Sequence, residues 1–524
     1  MAMTTPSYGI TGNKIKEENT IMNELRQRKA SIEIAPEDFR KLGYQVVDRL
    51  ADFLDRLPQL PVTSGETPGE IRKLLGNRSL PEEGIALDRL LDETITLMVD
   101  HSLFNGHPRF WGYITSSAAP IGAFGDLIAA TINPNVGAWM ISPMASEIEA
   151  QTVQWIAEML AYPSDCGGLL VSGGNVANFV GFLAARNAKV TWDVRKNGFA
   201  HEESKSLTVY CSEETHTWID KAVDIHGMGS DSARWIKTDE DLRMDVTALR
   251  EQILEDLETG YLPFMVVGTA GSTGAGVIDP LPAIKEICQE FDLWFHVDAA
   301  YGGFAACVPD APTDLLGLSE ADSIAVDPHK WLYTPLEAGC VLVRDPEALL
   351  DAYRHHPPSY YKFDADAEEH PNNYYESGPQ NSRGFRALKV WLALKQVGRD
   401  GYVKMVSDDI KLAQALYNLV DEHPALEAFT HNLSITTFRY VPEDLPSGTS
   451  ESERYLNELN SELLSRLEKG GEVFFSNAVI RGTYVFRVCI VNFRTSMEDI
   501  EALPGIVARV GKELDEEIRP ERLK

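Results

Sequence analysis

A carboxylate and an amine stand at matching points of two apolar runs in this chain. Asp298 ends Phe295-His296-Val297-Asp298, and Lys330 follows Ile324-Ala325-Val326 through Asp327-Pro328-His329. The intervening stretch is long enough to connect two neighbouring strands. An Asp at such a place is ordinarily a turn former or helix cap, and a Lys is ordinarily a solvated surface charge. Lys330, however, is wedged between Pro328-His329 and Trp331 directly after an apolar run, where a solvated lysine is not expected. Chemistry that needs both groups is catalysis by pyridoxal 5'-phosphate. There a lysine amine forms a Schiff base with the cofactor aldehyde, and an acid keeps the pyridine nitrogen protonated so that the ring takes up electrons. At roughly 3 Å and an effective dielectric near 20, carboxylate and pyridinium attract by about 5 kcal/mol. That is about 4 pKa units before desolvation is subtracted, enough to decide the charge of the ring.

A second feature serves the same chemistry. Val171-Ser172-Gly173-Gly174-Asn175-Val176-Ala177-Asn178 follows an apolar run and opens an apolar helix running to Arg186. Small residues at a strand-to-helix turn let backbone N–H groups face a phosphate, with the helix dipole adding to the attraction.

These strings together closely resemble the group II pyridoxal-phosphate-dependent amino-acid decarboxylases, above all those acting on aromatic L-amino acids. The resemblance implies an α/β fold of the aspartate aminotransferase type (fold type I), with a mostly parallel central sheet and a smaller α+β C-terminal domain. It implies that Gly174 and Asn175 hold the cofactor phosphate and that Ser323 is its second ligand. Thr269 then lies near the pyridine ring and Asp298, while His216 stacks on the ring and helps to protonate the intermediate. Ala300 packs on the opposite ring face, and His329 touches the phosphate side. Asp327 departs from the asparagine often found there in animal members; an anion beside a phosphate is awkward, so it receives no role.

On the substrate side, His107-Pro108-Arg109-Phe110-Trp111-Gly112-Tyr113-Ile114-Thr115-Ser116 resembles the segment lining the substrate pocket. Tyr113 and Thr115 fall where relatives hold the substrate ring and carboxylate, and Trp139 is a further candidate for the wall, donated across a dimer interface. Tyr360 resembles the mobile-loop acid that protonates the α-carbon after carbon dioxide leaves; the adjacent Tyr361 leaves that choice open. Relatives lacking this tyrosine, or the stacking histidine, tend toward oxygen-dependent aldehyde formation, so Tyr360 and His216 favour the ordinary decarboxylase. Ser382 sits where plant relatives carry serine for phenolic or glycine for indolic substrates, and Gly384 departs from an arginine common in that motif. Tyrosine or dihydroxyphenylalanine is thus expected over tryptophan. The alternatives are an aldehyde synthase on the same fold, or a decarboxylase of glutamate, aspartate or diaminobutyrate type. A cofactor-binding regulatory protein without turnover would need no proton donor on a loop.

The elements that must position these groups are readable in outline. From about residue 120 to 400 short apolar strands alternate with amphipathic helices: Gly168–Val171, Leu207–Ser212, Phe264–Thr269, Leu293–Asp298, Ser323–Val326 and Cys340–Val343. Such alternation predicts a mostly parallel sheet with helices on both faces, its binding groups at the carboxyl ends of the strands. Residues 401–524 read as the smaller domain, with helices at Asp409–Leu419 and Glu451–Glu468 and strands at Ser434–Arg439 and Tyr484–Val491. Ser359 to Arg383 reads as a long mobile loop. Residues 33–118 form a helical segment that opens at Pro36-Glu37-Asp38, its stripe of Phe39, Leu42, Val46, Leu50, Phe53, Leu54 and Leu57 at helical spacing. In the resembled family this segment packs on the partner subunit, so a homodimer is expected. Residues 1–32 read as a flexible leader.

Bulk composition agrees. With 44% hydrophobic and 24% charged residues the chain is that of a globular protein. A net charge of −31 argues against nucleic acid or an anionic membrane as partner, and the resemblance implies a small-molecule amino acid as substrate. No window approaches the apolar length of a membrane span. The six cysteines are scattered, without zinc spacing, so no metal is expected and a reducing cytoplasm suits them.

Overall fold

The computed structural model describes residues 12–76, 79–200, 202, 204–354, 372–446 and 448–523. The chain divides into two compact units, one of Met1–Gln59 with Gly76–Asp100 and one of Leu60–Leu75 with His101–Lys524.

The first unit is helical, with helices Gly12–Arg26, Pro36–Arg56 and Leu87–Asp100. Helix Pro36–Arg56 starts as the sequence predicts, with Pro36 in its first turn and Glu37 and Asp38 complementing the helix dipole. It buries none of its residues; Phe39, Leu50 and Leu54 of the stripe stay exposed. Arg49 ties it to the third helix through Asp92 and through Thr96 at 3.1 Å. Helix Gly12–Arg26 falls within residues 1–32.

The second unit holds two sheets. In chain order the strands are β1 Phe110–Trp111, β2 Gly167–Val171, β3 Leu207–Ser212, β4 Ala233–Ile236, β5 Leu262–Thr269, β6 Trp294–Asp298, β7 Ser323–Val326, β8 Gly339–Val343, β9 Leu426–Asn432, β10 Ile435–Tyr440, β11 Phe474–Ile480 and β12 Thr483–Cys489. The large sheet runs β2-β8-β7-β6-β5-β3-β4, and β8 alone lies antiparallel to its neighbours. Its strands are buried on both faces. Val266 of β5 joins Tyr210, Phe295 and Val297 in one core, whereas Met265 and Val267 join Val209, Cys211 and Trp294 in the other. This is the period-2 alternation of a sheet clothed by helices on both sides.

The smaller sheet, β1-β11-β12-β10-β9, is antiparallel except for the short β1–β11 pairing. Helix Ala387–Asp421 serves both sheets and breaks at Gly398, whose φ of +70° suits a residue without Cβ. Before the break Lys389 pairs with Asp126 at 3.2 Å; beyond it the carbonyl of Ala413 accepts the Thr436 hydroxyl at 2.8 Å.

Candidate active site

Parallel pairing sets the site. Thr269 and Asp298 are register partners at the carboxyl ends of β5 and β6, and the turn after β7 carries Asp327 and Lys330 beside them. A cavity of about 200 Å³ opens there, lined by Gly174, Asn175, His216, Thr269, Asp298, Ala300 and Lys330 among the residues predicted from sequence. Pockets for drug-sized ligands run to roughly 300–1,000 Å³, so this one suits a single aromatic ring with its substituents.

Each wall has a physical basis. Asp298 is 7% exposed; its Oδ1 accepts the Ala300 N–H at 3.1 Å and its Oδ2 accepts Asn178 Nδ2 at 3.2 Å. Lys330 Nζ rests 3.2 Å from Asp327 Oδ2. Gly174 opens helix Gly174–Lys189, and a Cβ there would stand 2.9 Å from Asp327 Oδ2 and 3.1 Å from the Ala300 methyl, closing the cavity. Thr269 Oγ1 lies 3.3 Å from Thr215 Oγ1, whose hydroxyl oxygen accepts the Ser212 N–H at 3.0 Å. His216 follows this turn with part of its ring open to solvent. Burial holds its imidazole below the usual range; Asp298 pulls the other way and Lys330 reinforces burial.

Other predicted residues lie elsewhere. Ser323 is fully buried and does not line the cavity; its hydroxyl is engaged by Trp294 Nε1 and His296 Nδ1. His329 sits behind the wall: Nδ1 accepts the Ala338 N–H at 3.1 Å and Nε2 is 3.5 Å from Asp327 Oδ2. Burial pushes its pKa down, with Asp327 opposing. Tyr113 stands at the small sheet, φ +51°, beside Phe474 at 6.3 Å between ring centroids, and Thr115 follows it; neither lines the cavity. Trp139 donates its indole N–H to Glu147 Oε1 at 2.7 Å and is likewise absent from the lining. Tyr360 and Tyr361 lie outside the described residues.

Sequence reasoning passed over Asn178, Asp327, Gly271, Thr273 and Tyr301, all of which line the cavity. Asn178 sits one helical turn after Gly174, a polar residue on an otherwise apolar face; that spacing could have found it. Tyr301 stacks on Trp331 at 4.8 Å and its hydroxyl is 2.7 Å from Ser434 Oγ, joining the site to the small sheet. Arg487 of β12, buried, donates to the Thr273 carbonyl at 2.6 Å and brings a cation to the same margin.

Pyridoxal phosphate fits these residues. Gly174 leaves a bare helix N-terminus for a phosphate, Ala300 gives a small floor, Asp298 offers an acceptor and Lys330 an amine. The Asp327 carboxylate beside Gly174 is balanced by Lys330, although its Oδ1 is buried without a hydrogen-bond partner. Among the described residues no cluster could hold a metal ion, and no helix is long and apolar enough to cross a membrane.

Comparison with known proteins points the same way. Residues 68–441 match the pyridoxal-dependent decarboxylase conserved domain. An aromatic-L-amino-acid decarboxylase of Bacillus atrophaeus is 33% identical over 476 residues, covering 90% of this chain and 95% of its own length. Tyrosine decarboxylase 3 of Petroselinum crispum is 30% identical, covering 94% of each chain. Among solved structures, Oryza sativa TDC with PLP and tryptamine superposes with a TM-score of 0.85 at 26% identity, covering 93% of this chain and 100% of its own.

Proposed function

We propose that this chain, which belongs to the pyridoxal-dependent decarboxylase family, releases carbon dioxide from aromatic L-amino acids, with tyrosine or dihydroxyphenylalanine preferred over tryptophan. The observation that carries the reaction is the convergence of Asp298, Lys330 and His216 on one small cavity whose helix N-terminus is bared by Gly174. Bound pyridoxal phosphate supplies an aldehyde for amines and a ring that takes up the electron pair left by the departing carboxylate.

The chain's own residues divide the remaining work. Lys330 Nζ would hold the cofactor through its aldehyde, and Asp327 Oδ2, 3.2 Å from Nζ, would pair with the lysine when its amine is free and protonated. Asp298 would accept a hydrogen bond from the ring nitrogen and keep it protonated. His216, kept neutral by burial, offers a flat uncharged ring over the cavity. The Tyr360 phenol gives the proton that the α-carbon needs once carbon dioxide has left, which directs the product to amine rather than aldehyde.

The substrate preference rests on Ser382. It is exposed, but its neighbour Arg383 is locked: the guanidinium pairs with buried Glu149 and donates to the carbonyls of Val136 and Leu170 at 2.9 and 2.7 Å. Support for the phenolic preference is the resemblance itself: plant relatives carry serine at this position for phenolic substrates. The free thiols of all six cysteines support a reducing, cytoplasmic setting. The exposed apolar helix faces support a homodimer.

The test is a panel of tyrosine, dihydroxyphenylalanine, tryptophan, phenylalanine and glutamate with purified protein and cofactor, measuring amine, aldehyde and peroxide. Phenolic substrates should give the highest kcat/KM, with amine as product. A higher kcat/KM for tryptophan would overturn the preference, and turnover confined to glutamate would overturn the aromatic reading.

A further inference from the structure

Behind Asp298 runs a chain of polar contacts that the reaction above does not use. Trp294 Nε1 donates to Ser323 Oγ at 2.8 Å, and Ser323 Oγ lies 2.7 Å from His296 Nδ1. His296 Nε2 lies 2.7 Å from Asn178 Oδ1, and Asn178 Nδ2 donates to Asp298 Oδ2 at 3.2 Å. Ser323 and His296 are wholly buried and Asn178 is 1% exposed. Trp294, His296 and Asp298 are alternate residues of β6 and so share one face of it; β7 supplies Ser323, and helix Gly174–Lys189 supplies Asn178. The helix can pass this close because residue 181 is glycine. A Cβ there would stand 3.0 Å from His296 Cε1 and 3.1 Å from Ser323 Oγ.

The direction of every bond can be assigned. An indole nitrogen only donates, so it fills a lone pair of Ser323. The Ser323 proton then points to His296 Nδ1, the acceptor beside it. Burial pushes His296 down to about 4, so at neutral pH it carries one proton, and with Nδ1 accepting that proton sits on Nε2 and goes to Asn178 Oδ1. The Asn178 amide is thereby turned with Nδ2 toward Asp298. Reversing the chain would leave the Ser323 hydroxyl proton without an acceptor in a dry interior.

We propose that Ser323 and His296 are positioning residues, a relay anchored by Trp294 that orients Asn178 so that Asp298 stays an acceptor toward the cavity. Successive bonds polarised in one direction strengthen one another, and this series ends on the acid. With Ala300 N–H on Oδ1 and Asn178 on Oδ2, no inward group draws a proton from Asp298, and its remaining acceptor capacity faces the cavity. The inference rests on Asp298 being the partner of the cofactor's ring nitrogen.

The test uses the full-length protein loaded with pyridoxal phosphate carrying ¹⁵N in its ring, whose chemical shift reports protonation of that nitrogen. The parent should show a protonated pyridine. Ser323→Ala lets His296 move its proton to Nδ1 and lets the Asn178 amide turn its oxygen to Asp298. The shift should move toward the unprotonated value, and apo-protein should bind pyridoxal phosphate at least tenfold more weakly. His296→Leu should do the same. His296→Gln keeps an N–H within reach of Asn178, so adding it to Ser323→Ala should restore both readouts. A packing role would lower the melting temperature of these variants and leave the ¹⁵N shift in place, and that result would overturn the relay. Should His296→Leu fail to fold, Ser323→Ala, which removes one oxygen atom, carries the decision. Asp298→Asn tests the premise separately. If it leaves the shift unmoved, the reading of Asp298 fails; if it alone moves the shift, only the relay fails.

Discussion

Lys330 and Asp298 could be paired from sequence because each stands at or just beyond the end of an apolar run, and the pair serves one chemistry that neither residue indicates alone. The structure adds what holds the lysine: Asp327, 3.2 Å away, which sequence reasoning had set aside as awkward for a phosphate. Lys330→Ala should abolish the absorbance of covalently held cofactor and lower turnover by a factor on the order of 10³ or more, with the fold intact. Covalent absorbance surviving in this variant would mean that another lysine carries the cofactor. Tyr360→Phe tests the other end of the reaction. The ring remains and only the phenol proton is lost, so substrate binding should change little. Amine output should fall by roughly 10²–10⁴-fold, the usual worth of a placed acid. Aldehyde, ammonia and peroxide should appear in its place when oxygen is present. If Tyr361→Phe gives that outcome instead, the role moves one residue along. Ser323 shows the limit of reading residues singly. A serine before the lysine suits a phosphate or a relay equally well in sequence, and the contacts of Asn178 and the close approach at Gly181, which favour the relay, are visible only in the fold.

At the scale of elements, β3 and β7 were legible end to end because strands buried on both faces show as unbroken apolar runs. β4, β9 and β11 were not. Arg234 and Trp235 of β4 are partly exposed at the sheet edge, β9 buries only Leu426, and β11 carries Ser476 and Asn477 at its centre. Their pairing is set by neighbours distant in sequence. The loop expected from Ser359 to Arg383 is anchored at its described end, where Tyr374 is 4% exposed beneath the Arg383 guanidinium at 4.6 Å. Helix Ala387–Asp421 carries a further link that sequence did not suggest. Its buried Asp409 accepts Trp331 Nε1 at 3.1 Å and the Tyr333 hydroxyl at 2.7 Å, and so grips the turn that bears Lys330. Burial pushes Asp409 up to about 8 against the pull of those two hydrogen bonds. A folded-state pKa raised above the unfolded one means that Asp409 stabilises the fold fully below about pH 4. That contribution is lost as pH rises toward 8, by at most about 1.4 kcal/mol per pH unit. Asp409→Asn cannot ionise. Its thermal midpoint should therefore improve relative to the parent between pH 5 and pH 8. A gap independent of pH would assign the ionisation to another group.

For the molecule as a whole, the question is what covers its apolar helix faces. Helix Pro36–Arg56 presents Phe39, Leu50 and Leu54 to solvent. Within the other unit, helix Pro120–Ile132 does the same with Phe124, Leu127, Ile128 and Ile132, and has Asp126 as its one charged residue. Groups of exposed apolar side chains mark candidate surfaces for another chain to cover. A second copy is the occupant we predict, and electrostatics makes the prediction specific. Two chains each of net charge −31 repel, so association must come from apolar burial, and screening by salt should favour it. Sedimentation at assay concentration should show a dimer that tightens between 0.05 and 0.5 M salt, opposite to an assembly held by ion pairs. Deleting residues 1–60 should give insoluble or inactive protein, because the stripe and its share of the interface go together. Phe124→Asp with Ile132→Asp leaves that segment in place and charges the second face. It should yield folded monomer with turnover reduced at least tenfold if each cavity needs a neighbour's residues to close. Trp139, away from the cavity of its own chain, is the residue to follow in that experiment. Its fluorescence should report association in the parent and lose that response in the charged variant. A fully active monomer, of parent or variant, would show that each chain completes its own site.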